Sequence, residues 1–164
     1  MKWTSSLKQW RAKRGIVEAQ SNYAVMIAEE SQELFEAIEA ENELEMVDAF
    51  CDLTVLTQNQ ITLEALPSYQ STGIPPDVGY NFGSDNQKFL ADFLRSNQEA
   101  IEELGYVFNL CMKETLKEIS SRQQEPLQCI DWATNGPSGK WQKWQQQPVS
   151  TLYSANYELC KAGK

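Results

Sequence analysis

The chain contains no histidine. Its four cysteines, Cys51, Cys111, Cys129 and Cys160, are widely spaced and form no C-x-x-C pair. Those absences remove imidazole and paired-thiolate metal ligands, and with them a di-iron carboxylate bundle, which needs Glu-x-x-His. Lysine and arginine are missing from Gly15 through Gln87, so acidic side chains in that stretch have no local salt-bridge partner. No apolar run approaches the roughly 20 residues that span a bilayer. The N-terminal MKWTSSLKQW lacks the apolar core of a signal peptide. Both absences predict a cytoplasmic protein with reduced thiols. Positive charge is also scarce overall: the formal net charge is −9. Nucleic acid and anionic membranes are therefore not expected as partners. A polyphosphate substrate would be repelled too, unless metal ions mediate.

What is present is helical pattern. The 164 residues, 41% of them hydrophobic, suit a single domain spanning 1–164. The expected fold is all-α, a helical bundle with a non-helical C-terminal tail from about residue 123. Trp3, Leu7 and Trp10 recur at i, i+4, i+7 as the apolar stripe of a first helix. Lys2, Lys8, Arg11, Lys13 and Arg14 give that helix a basic face. Residues 68–85 hold Pro75-Pro76 and three glycines and read as a loop. From Asn86 to about Ser121 the pattern is helical again, with a kink or break at Gly105.

The informative stretch is Glu29 to Leu56, EESQELFEAIEAENELEMVDAFCDLTVL. A polar break at Glu41-Asn42-Glu43 divides it into two helices. On a helical wheel Glu33 and Leu34 flank Glu30 at about 60° and about 40°. Tyr23, Met26, Ile27 and Ala37 share that half of the cylinder, so Glu30 and Glu33 interrupt an apolar stripe. Glu36 and Glu39 point elsewhere, to solvent. From Met46 to Leu56 the second helix is apolar nearly all round, except for Asp48 and Asp52, four apart on one face. Glu45 joins that face. Burying bare carboxylates costs several kcal/mol each unless something compensates, and with no local Lys or Arg a divalent cation is the natural compensation. With only oxygen donors on offer, the ion expected is hard: Mg²⁺, or Mn²⁺. The competing reading is an acidic solvated face, which fits Glu29, Glu36, Glu39 and Glu41 best.

Glu29-Glu30-x-x-Glu33 followed by Glu45-x-x-Asp48 resembles the all-α nucleoside triphosphate pyrophosphohydrolases. That superfamily includes the MazG-like enzymes, phosphoribosyl-ATP pyrophosphohydrolase and the dimeric dUTPases. The continuation Asp48-Ala49-x-x-Asp52 is closer to the phage-type MazG-like branch. The tail is similar as well: Lys117 matches the lysine near the end of a helix, and Gly139-Lys140-x-x-Lys143 matches a G-K-x-x-K stretch before an aromatic segment. Glu114 stands where the family often has Asn.

The resemblance implies hydrolysis of a nucleoside triphosphate to the monophosphate and pyrophosphate. Glu30, Glu33, Asp48 and Asp52 would hold Mg²⁺. Glu29 or Glu45 would act as general base or hold a further ion. Lys117, Lys140 and Lys143 would contact the outer phosphates. Trp10, or its neighbour Arg11, would line the base pocket. A homo-oligomer, dimer or tetramer, is expected on two grounds: the family assembles so, and Val47, Phe50 and Leu53 need a cover that one chain's few helices do not supply. The rivals are a non-enzymatic acidic helical adaptor and a dimeric dUTPase-type enzyme, which shares the chemistry and differs in base selection.

Overall fold

A computed structural model describes residues 2–13, 23–64, 86–122 and 148–163. They form five α-helices, α1 (Trp3–Lys13), α2 (Tyr23–Glu39), α3 (Glu43–Glu64), α4 (Asn86–Glu103) and α5 (Phe108–Ser121). Two 3₁₀ turns follow, Val149–Thr151 and Tyr157–Cys160. Among the described residues there is no strand, only an isolated antiparallel bridge between Tyr106 and Lys161. The described residues adopt the expected all-α class. None of the described helices is long and apolar enough to cross a membrane.

Both helix–helix turns among the described residues use the same device. At the end of α2, Asn42 N–H bonds Ala37 O at 2.9 Å and Glu41 N–H bonds Ile38 O at 3.1 Å. At the end of α4, Tyr106 N–H bonds Ile101 O at 3.2 Å and Gly105 N–H bonds Glu102 O at 2.9 Å. Each pair closes a Schellman turn, which satisfies orphan carbonyls and needs a left-handed residue. Gly105 takes it at φ 87, and Glu41 takes it at φ 50, a conformation that a residue with a Cβ adopts only at a cost. Asn42 then caps α3, accepting Glu45 N–H on its side-chain oxygen at 3.4 Å. The polar break at 41–43 is thus a turn, and Gly105 marks a break into two helices.

Helix α3 is the axis of the molecule. It packs against α2 and α4, and also against α5 and the Tyr157–Cys160 turn. One core gathers Trp3, Leu7 and Trp10 of α1, Val47, Cys51 and Val55 of α3, and Cys111, Met112 and Ile119 of α5. A second joins Tyr23 and Ile27 of α2 to Leu53 of α3 and Leu90 of α4. The polar residues buried on α3 are satisfied: Thr54 and Thr57 hydroxyls bond the carbonyls one turn back, both at 2.7 Å. Cys51, Cys111 and Cys160 are buried free thiols.

This packing corrects one expectation. Val47 is 0% and Leu53 2% exposed within the single chain. Phe50 is half-buried between the two cores. Two short layers, α1–α5 on one side and α2–α4 on the other, supply the cover that was assigned to a second subunit. The apolar face of α3 therefore gives no ground for an oligomer.

The described part of the tail, 148–163, is a strap laid back over α5. Tyr153 N–H bonds Ser121 Oγ at 2.9 Å. At the far end Val107 N–H bonds Cys160 O at 2.7 Å and Ala162 N–H bonds Gly105 O at 2.8 Å. The 68–85 loop, Lys140, Lys143 and Cys129 lie outside the described residues.

Candidate functional site

Three helices bring carboxylates to one neighbourhood. Glu30 comes from α2, Asp48 and Asp52 from successive turns of α3, and Glu118 from α5. All four are half-buried. Burial pushes the Asp52 carboxyl well above its ordinary value, and the charges of Asp48, Glu30 and Glu118 push it further, against the pull of Arg122. Asp48 is raised by burial, against a hydrogen bond from Tyr157 and the charge of Arg122. Glu118 is raised by burial and by Asp48 and Glu45, while Arg122 and the Ala155 N–H oppose the shift. Like charges forced together in low dielectric hold each other toward the neutral form. The local absence of Lys and Arg did not leave the acids without a cation: Arg122 arrives from the end of α5.

The predicted ligands are only partly gathered. Glu30, Asp48 and Asp52 share this neighbourhood. Glu33 is exposed on α2. Among the described residues, no group of three or more Asp, Glu or Cys side chains stands in an arrangement that could hold a metal ion. Of the two candidate bases, Glu29 is half-buried on α2 and Glu45 is exposed in the first turn of α3.

The other predicted contacts are placed as follows. Trp10 is in the core, with its indole N–H on Ile119 O at 3.1 Å. Arg11 is buried and donates from Nη1 to Asn59 O at 3.2 Å. Lys117 pairs with Glu114 and lies over the Tyr153 ring, 5.8 Å from its centroid. Glu114, at the position where the resembled family often has Asn, is buried and also accepts Tyr153 OH and the Asn156 N–H. Burial pushes its carboxyl up, but Lys117, Tyr153 and Asn156 together outweigh that and hold it below the ordinary value. A cleft of about 480 Å³ is lined by Glu41, Glu43, Tyr106, Glu158 and Lys161, and by none of the four clustered acids.

Glu118 and Tyr157 were missed. Tyr157 is buried, and its hydroxyl donates to Asp48 Oδ1 at 2.7 Å with Thr115 Oγ1 at 3.0 Å beside it. A signal for Glu118 was available. Placed on a wheel with Cys111 at zero, it falls about 20° away, inside the apolar stripe of α5. That is the pattern that singled out Glu30 on α2. Nothing in the local sequence announces Tyr157, because its partner is 109 residues away.

The acidic side chains gathered in this neighbourhood offer carboxylate oxygens as donors. Comparison of the chain with protein-family models, with curated proteins and with solved structures finds no match.

Proposed function

We propose that the protein is a divalent-cation-dependent nucleoside triphosphate pyrophosphohydrolase, releasing a nucleoside monophosphate and pyrophosphate. The observation that carries this reading is the half-buried group of Glu30, Asp48 and Asp52, in which burial and then the charges of Asp48 and Glu30 raise Asp52 with Arg122 as counterweight. Carboxylates kept in mutual repulsion have little structural use and are well suited to a cation. Glu30, Asp48 and Asp52 would hold Mg²⁺ or Mn²⁺, with Glu33 swinging in from the surface of α2. The bound ion would supply charge neutralisation on the phosphates and a water of lowered pKa. Glu29 or Glu45 takes the proton of the attacking water. Lys140 and Lys143 neutralise the outer phosphates, and Lys117 joins them only on leaving Glu114. Trp10 offers a base no open face, so base recognition falls to other residues.

The test is product analysis over a panel of canonical and modified triphosphates with Mg²⁺. Monophosphate and pyrophosphate appearing together, only with metal, are expected. A chain that forms neither product and gains no thermal stability from Mg²⁺ returns the site to the acidic-adaptor reading. Uridine-restricted turnover would mark the dUTPase-type variant. Light scattering measures the proposed dimer or tetramer, which rests on the family resemblance alone.

A further inference from the structure

Three buried free thiols stand in the first core although they come from three different elements: Cys51 from α3, Cys111 from α5 and Cys160 from the Tyr157–Cys160 turn of the strap. Val107 ties the last two together. Its N–H bonds Cys160 O at 2.7 Å, and its carbonyl oxygen accepts the Cys111 N–H at 3.1 Å. Thr115 makes a second tie on the far side of Cys111. Its hydroxyl donates to Cys111 O at 3.0 Å and lies 3.0 Å from the Tyr157 hydroxyl. The turn that carries Cys160 is thus anchored on α5 both before and after Cys111. We propose that Cys111 and Cys160 are a peroxide-sensitive thiol pair, whose disulfide latches the C-terminal strap onto α5. The pair is separate from the carboxylate group, and the latch does not depend on the hydrolysis proposed above.

A buried cysteine is commonly a small apolar side chain and nothing more. Two features set this pair apart. The first is that the thiols act on each other. The Cys51 thiol holds Cys111 below its ordinary value, burial opposes this, and the Cys160 thiol lowers it again. Burial pushes Cys160 up to about 12, and the charge of Cys111 adds to that. Cys111 is therefore the member that ionises first, and the thiolate is the reactive form. The second feature is access. At this end the strap is held by the Val107–Cys160 and Gly105–Ala162 backbone bonds and by Lys161, 3.9 Å from Glu43. Releasing them lifts Cys160 off α5 and opens a path to Cys111. A soft-metal site is not on offer: among the described residues no group of three or more Cys, Asp or Glu side chains could hold a metal ion.

The chemistry closes in two steps with hydrogen peroxide as oxidant. The Cys111 thiolate attacks one peroxide oxygen, the O–O bond breaks, and the departing hydroxide takes the thiol proton to become water. Cys111 is left as a sulfenic acid. The Cys160 sulfur then attacks the Cys111 sulfur. The S–S bond forms, the S–O bond breaks, and the leaving hydroxide takes the Cys160 proton as a second water. Two thiols have given two electrons to one peroxide. Cys160 loses the S–H that it directs at Asn156 O, 3.9 Å away, and gains a covalent tie to α5. The loop so closed runs from 111 to 160, and closing a loop restricts the unfolded chain. Dithiol reductants reverse the bond.

The experiment treats the reduced full chain with hydrogen peroxide, blocks the remaining thiols, digests without reductant and maps the bridges by mass spectrometry. A Cys111–Cys160 cross-linked peptide is expected, and dithiothreitol should remove it. The oxidised chain should melt roughly 5–10 °C above the reduced one. Cys51→Ala should form the same bridge. Cys160→Ala should stop at a Cys111 sulfenic acid, which dimedone traps. The decisive mapping is done on the wild-type chain, so it stands even if a variant fails to fold. A chain that stays reduced overturns the proposal. So does a main product that joins Cys111 to Cys51, or that joins either member of the pair to Cys129. A Cys111–Cys160 bridge that leaves the midpoint unchanged or lowers it overturns the latch, because the bond would then be made only by distorting the fold.

Discussion

The indole N–H of Trp10 donates to the carbonyl oxygen of Ile119 at 3.1 Å, joining the first helix to the last turn of α5. Ile119 O is one of the four carbonyls that a helix end leaves without an intrahelical acceptor role. Trp10→Phe keeps most of the packing and removes that bond. It is expected to lower the unfolding free energy by about 1–3 kcal/mol, read by urea titration. A variant of wild-type stability that binds nucleotide poorly would instead return Trp10 to a base-contacting role.

Glu41 sits at φ 50 where the turn between α2 and α3 calls for glycine. Relieving a left-handed non-glycine residue is worth about 1–2 kcal/mol, partly offset by the greater freedom of glycine in the unfolded chain. Glu41→Gly should therefore raise stability by roughly 0.5–1 kcal/mol. Thermal melting checks this; a lowered midpoint would mean that the Glu41 side chain makes a contact that outweighs the strain.

Asp52 is raised well above its ordinary 3.8, chiefly by burial and then by Asp48 and Glu30. For a group raised in the folded state, the stabilising contribution is full below 3.8 and is lost as pH climbs through the folded value. The metal-free protein should thus lose stability from this group as pH rises from acid toward neutral. Asp52→Asn should flatten that slope, melt higher than wild type near neutral pH without metal, and show no turnover. Glu33→Gln should also lose turnover, with little change in melting because Glu33 is exposed. Turnover within a few-fold of wild type in both variants would sink the site.

Glu114 has the opposite sign. Lys117, Tyr153 and Asn156 hold it below its ordinary 4.5, so its contribution is present above 4.5 and is lost as pH falls through the folded value. Glu114→Gln should cost about 1–3 kcal/mol near neutral pH and remove the acid limb of stability below that value. Limited proteolysis should then cut the strap first. An unchanged acid limb would assign it to other carboxylates.

Lys140→Ala combined with Lys143→Ala should raise KM or lower kcat roughly tenfold or more, as expected for lost charge-assisted contacts worth about 1.5–3 kcal/mol. Mn²⁺ affinity without nucleotide should stay at the wild-type value. Wild-type kinetics would make these lysines solvated surface residues.

Local periodicity by itself determined the helices and which side chains break their stripes. A period near 3.6 is written into consecutive residues, so α2, α3 and the Gly105 break were legible, as were Glu30, Asp48 and Asp52 on inward faces. Periodicity says on which face a side chain lies and not what stands opposite. Only the tertiary structure decided that Val47 and Leu53 are covered within one chain, and that Lys117 is engaged by Glu114. It alone brought Arg122 and Glu118 to Asp52, and Tyr157 to Asp48 from 109 residues away. Those partners meet because α5 and the strap fold back onto α3, a long-range closure that no window of neighbouring residues encodes.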